Sequence, residues 1–350
     1  MTFDPRRSSR SGSNPSLVDV ANQAGVSRGT VSNVLNYPEK VVPATLEKVR
    51  RAIADLGYVR NDAARSLAAG QSASLGFVLA NIENSLFVDM IYGAQQAART
   101  AKKSILLGNS SDDLAQQNSY LDLFDEARVG GVLLAPMEDS SEGIRRMRAH
   151  GRQIVLLNFD PVDHDCCAVL SDNELVGYLA ARHLIETGRN RIAYVAGRDE
   201  WQPVHARRLG VRRAIAESAG VSLIEVETEQ IGFSDGAQYG NAFLDLPVTQ
   251  RPDGVVAVSD AIANGFLDEV MRKLGVVVPD EVAVVGCENN RSAPGQSIPL
   301  TVVEPAGREM GFAAVTLLLD EMAAEPAAHV HRVLTFEPRL IIKDSTVRAH

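Results

Sequence analysis

The stretch SLVDVANQAGVSRGTVSNVLN, residues 16–36, predicts two short helices joined by a tight turn. Ser16 and Asp19 have the spacing of a capping box, in which the two side chains satisfy free backbone N–H groups at the start of a helix. Gly25 is suited to end this helix, because glycine adopts the left-handed backbone conformation without strain. Ser27 can then cap the second helix. This arrangement is the helix-turn-helix motif, whose second helix can enter the major groove of DNA.

A third helix is predicted to begin at Pro43, since proline is favoured in the first helical turn, and to end at Gly57. Within the first helix, Val18, Ala21 and Ala24 are expected to lie on one buried face. The three helices are together long enough to share a small apolar core. The other residues expected to face inward are Val20, Val26, Val31, Val34, Leu35, Leu46, Val49, Ile53 and Leu56.

The solvent side of the second helix carries small polar side chains and one arginine. Arginine can form two hydrogen bonds to guanine and asparagine two to adenine, whereas serine and threonine suit phosphate oxygens. From this pattern alone, DNA binding is favoured over the alternative of a three-helix protein-binding module. The residues expected to contact DNA from this helix are Ser27, Arg28, Gly29, Thr30, Ser32, Asn33 and Asn36.

From Leu75 onward, short continuous apolar runs alternate with stretches of helical spacing. Buried strands connected by helices predict parallel sheets covered on both faces, and about 270 residues with about nine strands favour two lobes. The expected fold class is an all-α helix-turn-helix head plus an α/β body of two parallel-sheet, Rossmann-like lobes. Its clearest strands are LGFVLA (75–80), SILLGN (104–109), GVLLAP (131–136), IVLLNF (154–159), RIAYVAG (191–197), GVVAVS (254–259) and VAVVG (282–286). The clearest helices are 86–102, 173–187, 203–219 and 260–274.

The composition is that of a globular chain with a basic head. The 350 residues are 45% hydrophobic and 23% charged, and apolar runs of about six residues are too short to span a bilayer. The net charge is −9, but residues 1–70 contain ten Lys and Arg against six Asp and Glu (+4), and the remainder 25 against 38 (−13). The head is therefore the part suited to a polyanion. Three cysteines without a CxxC pair, and no apolar segment near the N-terminus, favour the cytoplasm.

Two stretches, LVDVANQAGVSRGTVSNVLN (17–36) and LEKVRRAIADLGYVRNDAARSLAAG (46–70), resemble the DNA-binding head and hinge of the lactose-repressor (LacI/GalR) family of bacterial transcription regulators. The resemblance continues through the body. It implies a homodimer on a near-palindromic operator and a periplasmic-binding-protein-like body that senses a small molecule. It also implies that bases are read from the positions of Arg28, Gly29 and Asn33. Because Gly29 has no side chain, base-specific contacts are expected from Arg28 and Asn33.

The resemblance also implies a hinge helix after the head. In the family, a leucine at the position of Leu67 wedges between base pairs in the minor groove, beside a small residue at the position of Ala64, and Asn61 begins the same segment. Such a wedge costs about a few kcal/mol of base unstacking, which contacts to the bent duplex offset. A flexible linker is the alternative. The expected domains are a disordered tail (1–15), a helix-turn-helix domain (16–60), a hinge (61–71) and an effector-binding and dimerisation domain (72–350), with an N-lobe of about 72–172 and 302–333 and a C-lobe of about 173–301 and 334–345.

A ligand cleft is expected where the carboxyl ends of the strands of the two lobes face each other. By resemblance, Arg207 matches the family's effector-binding arginine and Phe233 an aromatic residue that stacks on the ligand. An arginine fork with carboxylate acceptors suits the hydroxyl groups of a sugar or polyol. The added acidic side chains argue against a multiply phosphorylated or carboxylate-rich ligand unless a cation intervenes. The expected effector-binding residues are Asn81, Leu86, Phe87, Asp160, Arg207, Phe233, Ser259, Asp260, Glu288 and Glu304.

The sequence contains no motif that predicts a catalytic site. Gly25-Val-Ser-Arg-Gly29 fits the nucleophile elbow of esterases but follows a helix instead of a buried strand. The segment His164-Asp165-Cys166-Cys167 is interpreted as a loop, because no second pair of metal ligands lies at a suitable spacing. No phosphate-binding loop occurs, so no catalytic residue, cofactor or metal is predicted.

The expected partners are double-stranded operator DNA, a sugar-like effector and a second copy of the chain, with no membrane association. Three alternatives stay open at this point. The effector can be a nucleobase or another metabolite that acts as a corepressor. The body can belong to a solute-binding protein, which would leave the head without a purpose, or to a sugar-metabolising enzyme.

Overall fold

The computed structural model describes residues 15–58, 72–161, 165–291, 295, 298–325 and 329–347, without the side chains of residues 273 and 274. The chain divides into two compact units, residues 1–70 and 71–350. The predicted hinge, with Asn61, Ala64 and Leu67, lies outside the described residues, as does nearly all of the predicted N-terminal tail.

The described residues of the first unit form three helices, α1 Leu17–Ala24, α2 Arg28–Asn36 and α3 Pro43–Leu56, with a 3₁₀ turn at Pro38–Lys40. The predicted capping box is confirmed: the Asp19 amide donates to Ser16 Oγ at 3.4 Å, and the Ser16 amide donates to Asp19 Oδ2 at 2.8 Å. Gly25 and Gly57 end α1 and α3 with positive φ angles of 64° and 61°, as their sequence positions predicted. The head therefore takes its shape from local signals.

A small apolar core holds these helices together, and its buried members are Val20, Ala21, Val31, Val34, Val49 and Ala52. The expectation for Val18 is wrong, since 41% of this side chain is exposed. Successive helix positions are 100° apart, so a residue two places before the buried Val20 points away from the core.

Two six-stranded sheets form the second unit, as predicted for a two-lobed α/β body. The N-lobe sheet has the order β11-β5-β4-β3-β1-β2 and the C-lobe sheet the order β12-β10-β9-β8-β6-β7; every pair is parallel except β10 with β12. The N-lobe strands are β1 Ser74–Leu79, β2 Ser104–Asn109, β3 Gly131–Ala135, β4 Gln153–Leu157, β5 Cys167–Ser171 and β11 Val333–Phe336. The C-lobe strands are β6 Arg191–Ala196, β7 Ser222–Glu227, β8 Gly254–Ala257, β9 Ala283–Gly286, β10 Thr301–Glu304 and β12 Arg339–Ile341.

Helices cover both sheets. Those of the N-lobe are α4 Ser85–Thr100, α5 Leu114–Glu126, α6 Ser141–Ala149 and α11 Gly307–Ala323. Those of the C-lobe are α7 Asn173–Glu186, α8 Gln202–Ala216, α9 Phe233–Asp245 and α10 Asp260–Leu274. No helix within the described ranges combines the length and the apolar character that a membrane span requires.

The described residues contain twelve strands, where about nine were expected. The strands not named from the sequence are short or lie at a sheet edge, where half of the side chains are exposed and no continuous apolar run arises. One of them corrects an interpretation: Cys167, placed in a loop on sequence grounds, begins the buried strand β5. The run AVLS that follows it is too short to be recognised as a strand from the sequence.

The chain passes between the lobes three times, between β5 and α7, between β10 and α11, and between β11 and β12. Two of the expected lobe boundaries need correction. Strand β10 still belongs to the C-lobe, so the second passage comes after Glu304 and not at 302. Strand β11 still belongs to the N-lobe, so the third comes after Phe336 and not at 333.

Three pairs of helices pack backbone against backbone at facing glycines. In the α7–α8 pair, a Cβ atom on Gly177 would collide with the carbonyl oxygen of Arg207, and one on Gly210 with the carbonyl oxygen of Glu174. Gly93 and Gly311 play the same part between α4 and α11, and Gly236 and Gly265 between α9 and α10. Because the obstructing atoms are backbone, no side-chain rotation can make room.

We expect Gly177→Ala to lower the free energy of unfolding of the body by about 3 kcal/mol, the upper end for overpacking, since α7 and α8 must move apart. Urea unfolding followed by circular dichroism measures this change. Gly232→Ala is the control in the same lobe, because the nearest atom to its added Cβ lies 3.4 Å away, and it should cost less than about 1 kcal/mol. Equal stability of Gly177→Ala and the wild type would contradict the backbone contact.

Candidate DNA-reading helix and ligand cleft

Helix α2 presents two polar side chains that no other group restrains. Ser27 Oγ accepts a hydrogen bond from the Thr30 amide at 3.1 Å and so fixes the start of the helix. Arg28 and Asn33 are exposed, and neither side chain hydrogen-bonds to any other residue that the structure describes. The two residues from which base contacts were expected are therefore available to an external partner.

The other polar residues of α2 are tied to each other. Thr30 Oγ1 lies 2.9 Å from Ser27 Oγ, and Asn36 Nδ2 donates to Ser32 Oγ at 3.2 Å. These bonds leave two hydroxyl protons that can be donated to phosphate oxygens but reduce the freedom of the side chains. The structure therefore separates two free side chains from a set of internally bonded ones. Gly29, which was also expected to contact DNA, is exposed and lies between Arg28 and Asn33 in the sequence.

A cleft of about 650 Å³ opens between the N-lobe and the C-lobe. It lies at the carboxyl ends of the strands, where Asn81 follows β1, Ser259 follows β8 and Glu288 follows β9. This is the location expected for a ligand site in parallel α/β sheets. The expected effector-binding residues that line it are Asn81, Leu86, Phe87, Arg207, Phe233, Ser259 and Glu288.

Three residues expected in the cleft lie elsewhere. Asp160 binds Gln202 through its backbone at one rim, with its side chain exposed. Asp260 is buried behind the wall, because its carboxylate accepts the amide N–H groups of Glu288 and Asn290. Glu304 lies at a passage between the lobes and pairs with Arg339.

Several lining residues were not predicted. Asn84 caps α4 and donates from Nδ2 to Glu288 Oε1 at 2.9 Å, and Asn158 accepts from Asn173 Nδ2 at 2.9 Å. An asparagine just before a helix that follows a buried strand is a signal by which Asn84 could have been found. The others that line the cleft are Ile82, Glu83, Asp112, Met137, Pro203, Val204, Gln230, Ile231, Gly232, Val258, Ala261 and Asn290.

Arg207 is the only arginine that lines the cleft in the described part of the chain, and it is buried. Its Nε donates to Asn173 Oδ1 at 3.0 Å and its Nη1 to the carbonyl oxygen of Val258 at 2.6 Å, while Nη1 lies 3.6 Å from Glu288 Oε1. These partners fix the plane of the guanidinium group. The two N–H groups of Nη2 form no hydrogen bond with the described residues and can bind a ligand.

Two carboxyl groups lie close together at the back of the cleft. Burial, and then the nearby charge of Glu288, raises the pKa of Asp260 to about 7. Burial also raises the pKa of Glu288, although the Arg207 guanidinium opposes the shift. The positive charges of Arg207 near Glu288 and of Lys343 near Asp260 only partly offset these shifts, so a proton held by the pair relieves the repulsion between the two carboxylates near neutral pH.

Direct hydrogen bonds join the lobes along one side of the cleft. Asn290 Oδ1, from the C-lobe, accepts from the backbone amide and the hydroxyl of Ser85 in the N-lobe, at 3.1 and 2.8 Å. Beside it, Arg291 Nη2 donates to Asp89 Oδ2 at 2.7 Å. On the other side, Arg198 pairs with Glu138 at 3.0 Å. The two lobes are thus in direct contact at both rims.

Two protein families match the chain. "Bacterial regulatory proteins, lacI family" matches residues 16–61, and "Periplasmic binding protein-like domain" matches residues 181–346. Among curated proteins, the HTH-type transcriptional repressors PurR of Photobacterium profundum and Vibrio vulnificus are each 29% identical, over 330 and 331 residues. The alignments cover 94% of this chain and 98% of each relative.

Solved structures of similar fold cover almost the whole chain. The transcriptional regulator CelR in complex with cellobiose is 28% identical with a TM-score of 0.68, over 95% of this chain and 99% of that one. The lac repressor dimer bound to operator and the anti-inducer ONPF is 22% identical with a TM-score of 0.79, over 96% of this chain and 100% of that one. The second likeness concerns the fold alone.

We expect the pH dependence of unfolding to report the acidic pair. The folded-state pKa of Asp260 lies above its ordinary value of 3.8, so the folded chain binds more protons between about pH 4 and 7. This contribution to stability is complete below pH 4 and is lost as the pH rises through 7, at up to about 1.4 kcal/mol per pH unit for each proton.

Glu288→Gln should flatten this slope, because it removes one raised carboxyl and the charge that raises the pKa of the other. Urea unfolding at several values between pH 4.5 and 8 gives the slope. Glu126→Gln on the exposed side of α5 is the control and should behave as the wild type. An unchanged slope in Glu288→Gln would show that the pair holds no proton in this range.

Proposed function

Because the chain belongs to the lacI family of bacterial regulatory proteins and is a DNA-binding transcriptional repressor rather than an enzyme, we propose that it binds a near-palindromic operator as a homodimer and that a small molecule in the cleft controls this binding. The observation that carries the proposal is the combination of a capped helix with two unrestrained base-reading side chains and a body with a ligand cleft. Since the partner is chromosomal DNA, the proposed location is the bacterial cytoplasm.

Arg28 and Asn33 are proposed to read bases in the major groove. They lie five positions apart on α2, with Gly29 between them, so the bare glycine lets the helix approach the base edges closely. Ser27, Thr30, Ser32 and Asn36 are proposed to contact phosphates. Near-palindromic symmetry of the operator follows from the two-fold symmetry of a dimer.

The cleft favours an uncharged ligand that forms many hydrogen bonds. Its lining includes the carboxylates of Glu83, Asp112 and Glu288 against the single guanidinium of Arg207. An anionic ligand would add to this surplus, whereas hydroxyl groups can donate to the acids and accept from Arg207. A sugar or polyol is therefore our first candidate, and the cellobiose complex of a relative that is 28% identical is consistent with it.

A nucleobase is the second candidate, because apolar side chains from both lobes line part of the cleft. Phe87, Met137 and Phe233 line it, and the ring of Phe233 packs against Gly295. A flat aromatic ligand can stack on one of these phenylalanine rings while the polar edge of the ligand contacts Asn84 and Arg207.

The proposed control is an equilibrium between two arrangements of the lobes. A ligand can change operator affinity only by binding one arrangement more tightly than the other. In the described arrangement the two lobes are already hydrogen-bonded to each other at both rims. A ligand that contacts both lobes at once would therefore stabilise this arrangement. Whether that arrangement binds DNA decides between induction and corepression. A solute-binding protein, the remaining alternative, would explain the cleft but not the head.

We expect Arg28→Ala to weaken operator binding about 30-fold or more, because the homodimer loses one bidentate base contact, worth about 1–3 kcal/mol, in each half-site. The operator is first selected from random duplexes with the wild-type protein, and affinity is then measured by fluorescence anisotropy at fixed salt. Arg272→Ala removes the same charge from an exposed position of α10 and should bind as the wild type. An equal loss of affinity in both variants would mean that Arg28 contributes only non-specific electrostatic attraction. If the selection yields no preferred sequence, the proposal is contradicted.

We expect sugars and polyols to raise the melting temperature of the full-length protein more than nucleobases do, in a thermal-shift panel that contains both. The active compound should bind Phe233→Ala at least about tenfold more weakly, because an aromatic ring that lines the cleft is lost. Phe312→Ala, an exposed phenylalanine of α11, is the control. A shift from nucleobases alone would establish the second candidate, and identical binding by Phe233→Ala would contradict this location of the ligand.

A further inference from the structure

Four side chains of metal-binding type converge in the N-lobe, away from the cleft. Cys167 begins β5, Glu321 lies in the last turn of α11, and His329 and His331 precede β11. One ligand atom from each lies within 4.8 Å of every other. Cys167 precedes the other three residues by about 150 positions in the sequence, so no motif of fixed spacing connects the four. We refer to these four residues as the Cys-Glu-His₂ cluster.

We propose that the Cys-Glu-His₂ cluster binds one divalent transition metal ion of the Zn²⁺ type, a property that the repressor function does not require. The sulfur of Cys167 lies 3.2 Å from Nε2 of His329 and 3.9 Å from Nδ1 of His331. Nε2 of His329 lies 3.8 Å from Oε2 of Glu321. Ligand atoms around a tetrahedral Zn²⁺ ion are about 3.4–3.6 Å apart, so small side-chain rotations complete the site.

The surroundings also suit a bound cation. Oε2 of Glu321 is buried and accepts no hydrogen bond from the described residues, which is costly for a carboxylate oxygen unless a cation approaches it. The amide of Arg332 donates to the sulfur of Cys167 at 3.4 Å, a contact of the kind that orients a thiolate ligand. A thiolate, two imidazoles and a carboxylate form a donor set that Zn²⁺ and Co²⁺ share.

Arg148 of α6 occupies part of this space. Its Nη2 lies 3.2 Å from Nε2 of His331 and its Nη1 lies 3.6 Å from Oε1 of Glu321. When Nδ1 of His331 binds a metal, Nε2 carries the proton and can no longer accept from Arg148. The arginine must therefore turn away from His331, and metal and guanidinium compete for the cluster.

The test uses full-length protein without a histidine tag, freed of metal with a chelator and titrated with Co²⁺. We expect one ion per chain, a thiolate-to-cobalt charge-transfer band, the strong visible bands of four-coordinate cobalt, and loss of both when Zn²⁺ is added. Chelator competition then gives the Zn²⁺ affinity. Circular dichroism confirms that each variant is folded.

Cys167→Ser should abolish the charge-transfer band. His331→Gln should weaken Zn²⁺ binding more than about 100-fold, which exceeds the effect of losing a residue that only hydrogen-bonds to a metal ligand. Cys166→Ser is the matched control, since this neighbouring cysteine is buried outside the cluster. Arg148→Gln should tighten binding about tenfold or more, because a unit charge about 5 Å from a dication repels it even in water.

The proposal is overturned if the wild type takes up no Co²⁺ or Zn²⁺ at micromolar concentration, or if folded Cys167→Ser and His331→Gln bind as the wild type does. Weaker binding by Arg148→Gln would overturn the competition. None of these outcomes depends on operator DNA or on a cleft ligand, so they leave the proposed function to its own tests.

Discussion

The guanidinium group of Arg207 is the interaction around which the cleft is arranged. A charge removed from water must be paired and hydrogen-bonded, or the fold loses several kcal/mol (about 3–5 for a broken buried pair). Arg207 meets that requirement with one group from each of three C-lobe elements: Asn173 at the start of α7, the end of β8, and Glu288 after β9. These contacts hold the start of α7 and the segments that follow β8 and β9 against Arg207 at the cleft.

The acidic pair behind Arg207 follows from the same constraint. Asp260 begins α10, where a carboxylate is favoured by the N-terminal end of the helix, and it binds the amides of the loop after β9. That loop in turn supplies Asn290, which reaches the N-lobe. Asp260, which was expected to contact the ligand, therefore supports the loop that carries Glu288.

The sequence predicted well what is determined locally. The caps Ser16, Ser27 and Gly25 lie within a few residues of the backbone groups that they satisfy, so the head could be predicted almost helix by helix. The positions after β8 and β9 could be predicted because parallel strands end at one edge. The orientation of Asp260, and the convergence of Cys167 with two histidines, depend on packing between distant segments, and no periodicity in the sequence reports them.

The three passages of the chain between the lobes make each lobe a mosaic of separate segments, whereas the first 70 residues are continuous. A crossover between two genes at one point can therefore exchange an entire head for another, together with its choice of target sequence. A single crossover inside the body would instead place strands from two different proteins in one sheet, where their side chains are not matched for packing. Recombination should therefore reassort heads with bodies while each pair of lobes is inherited as one piece.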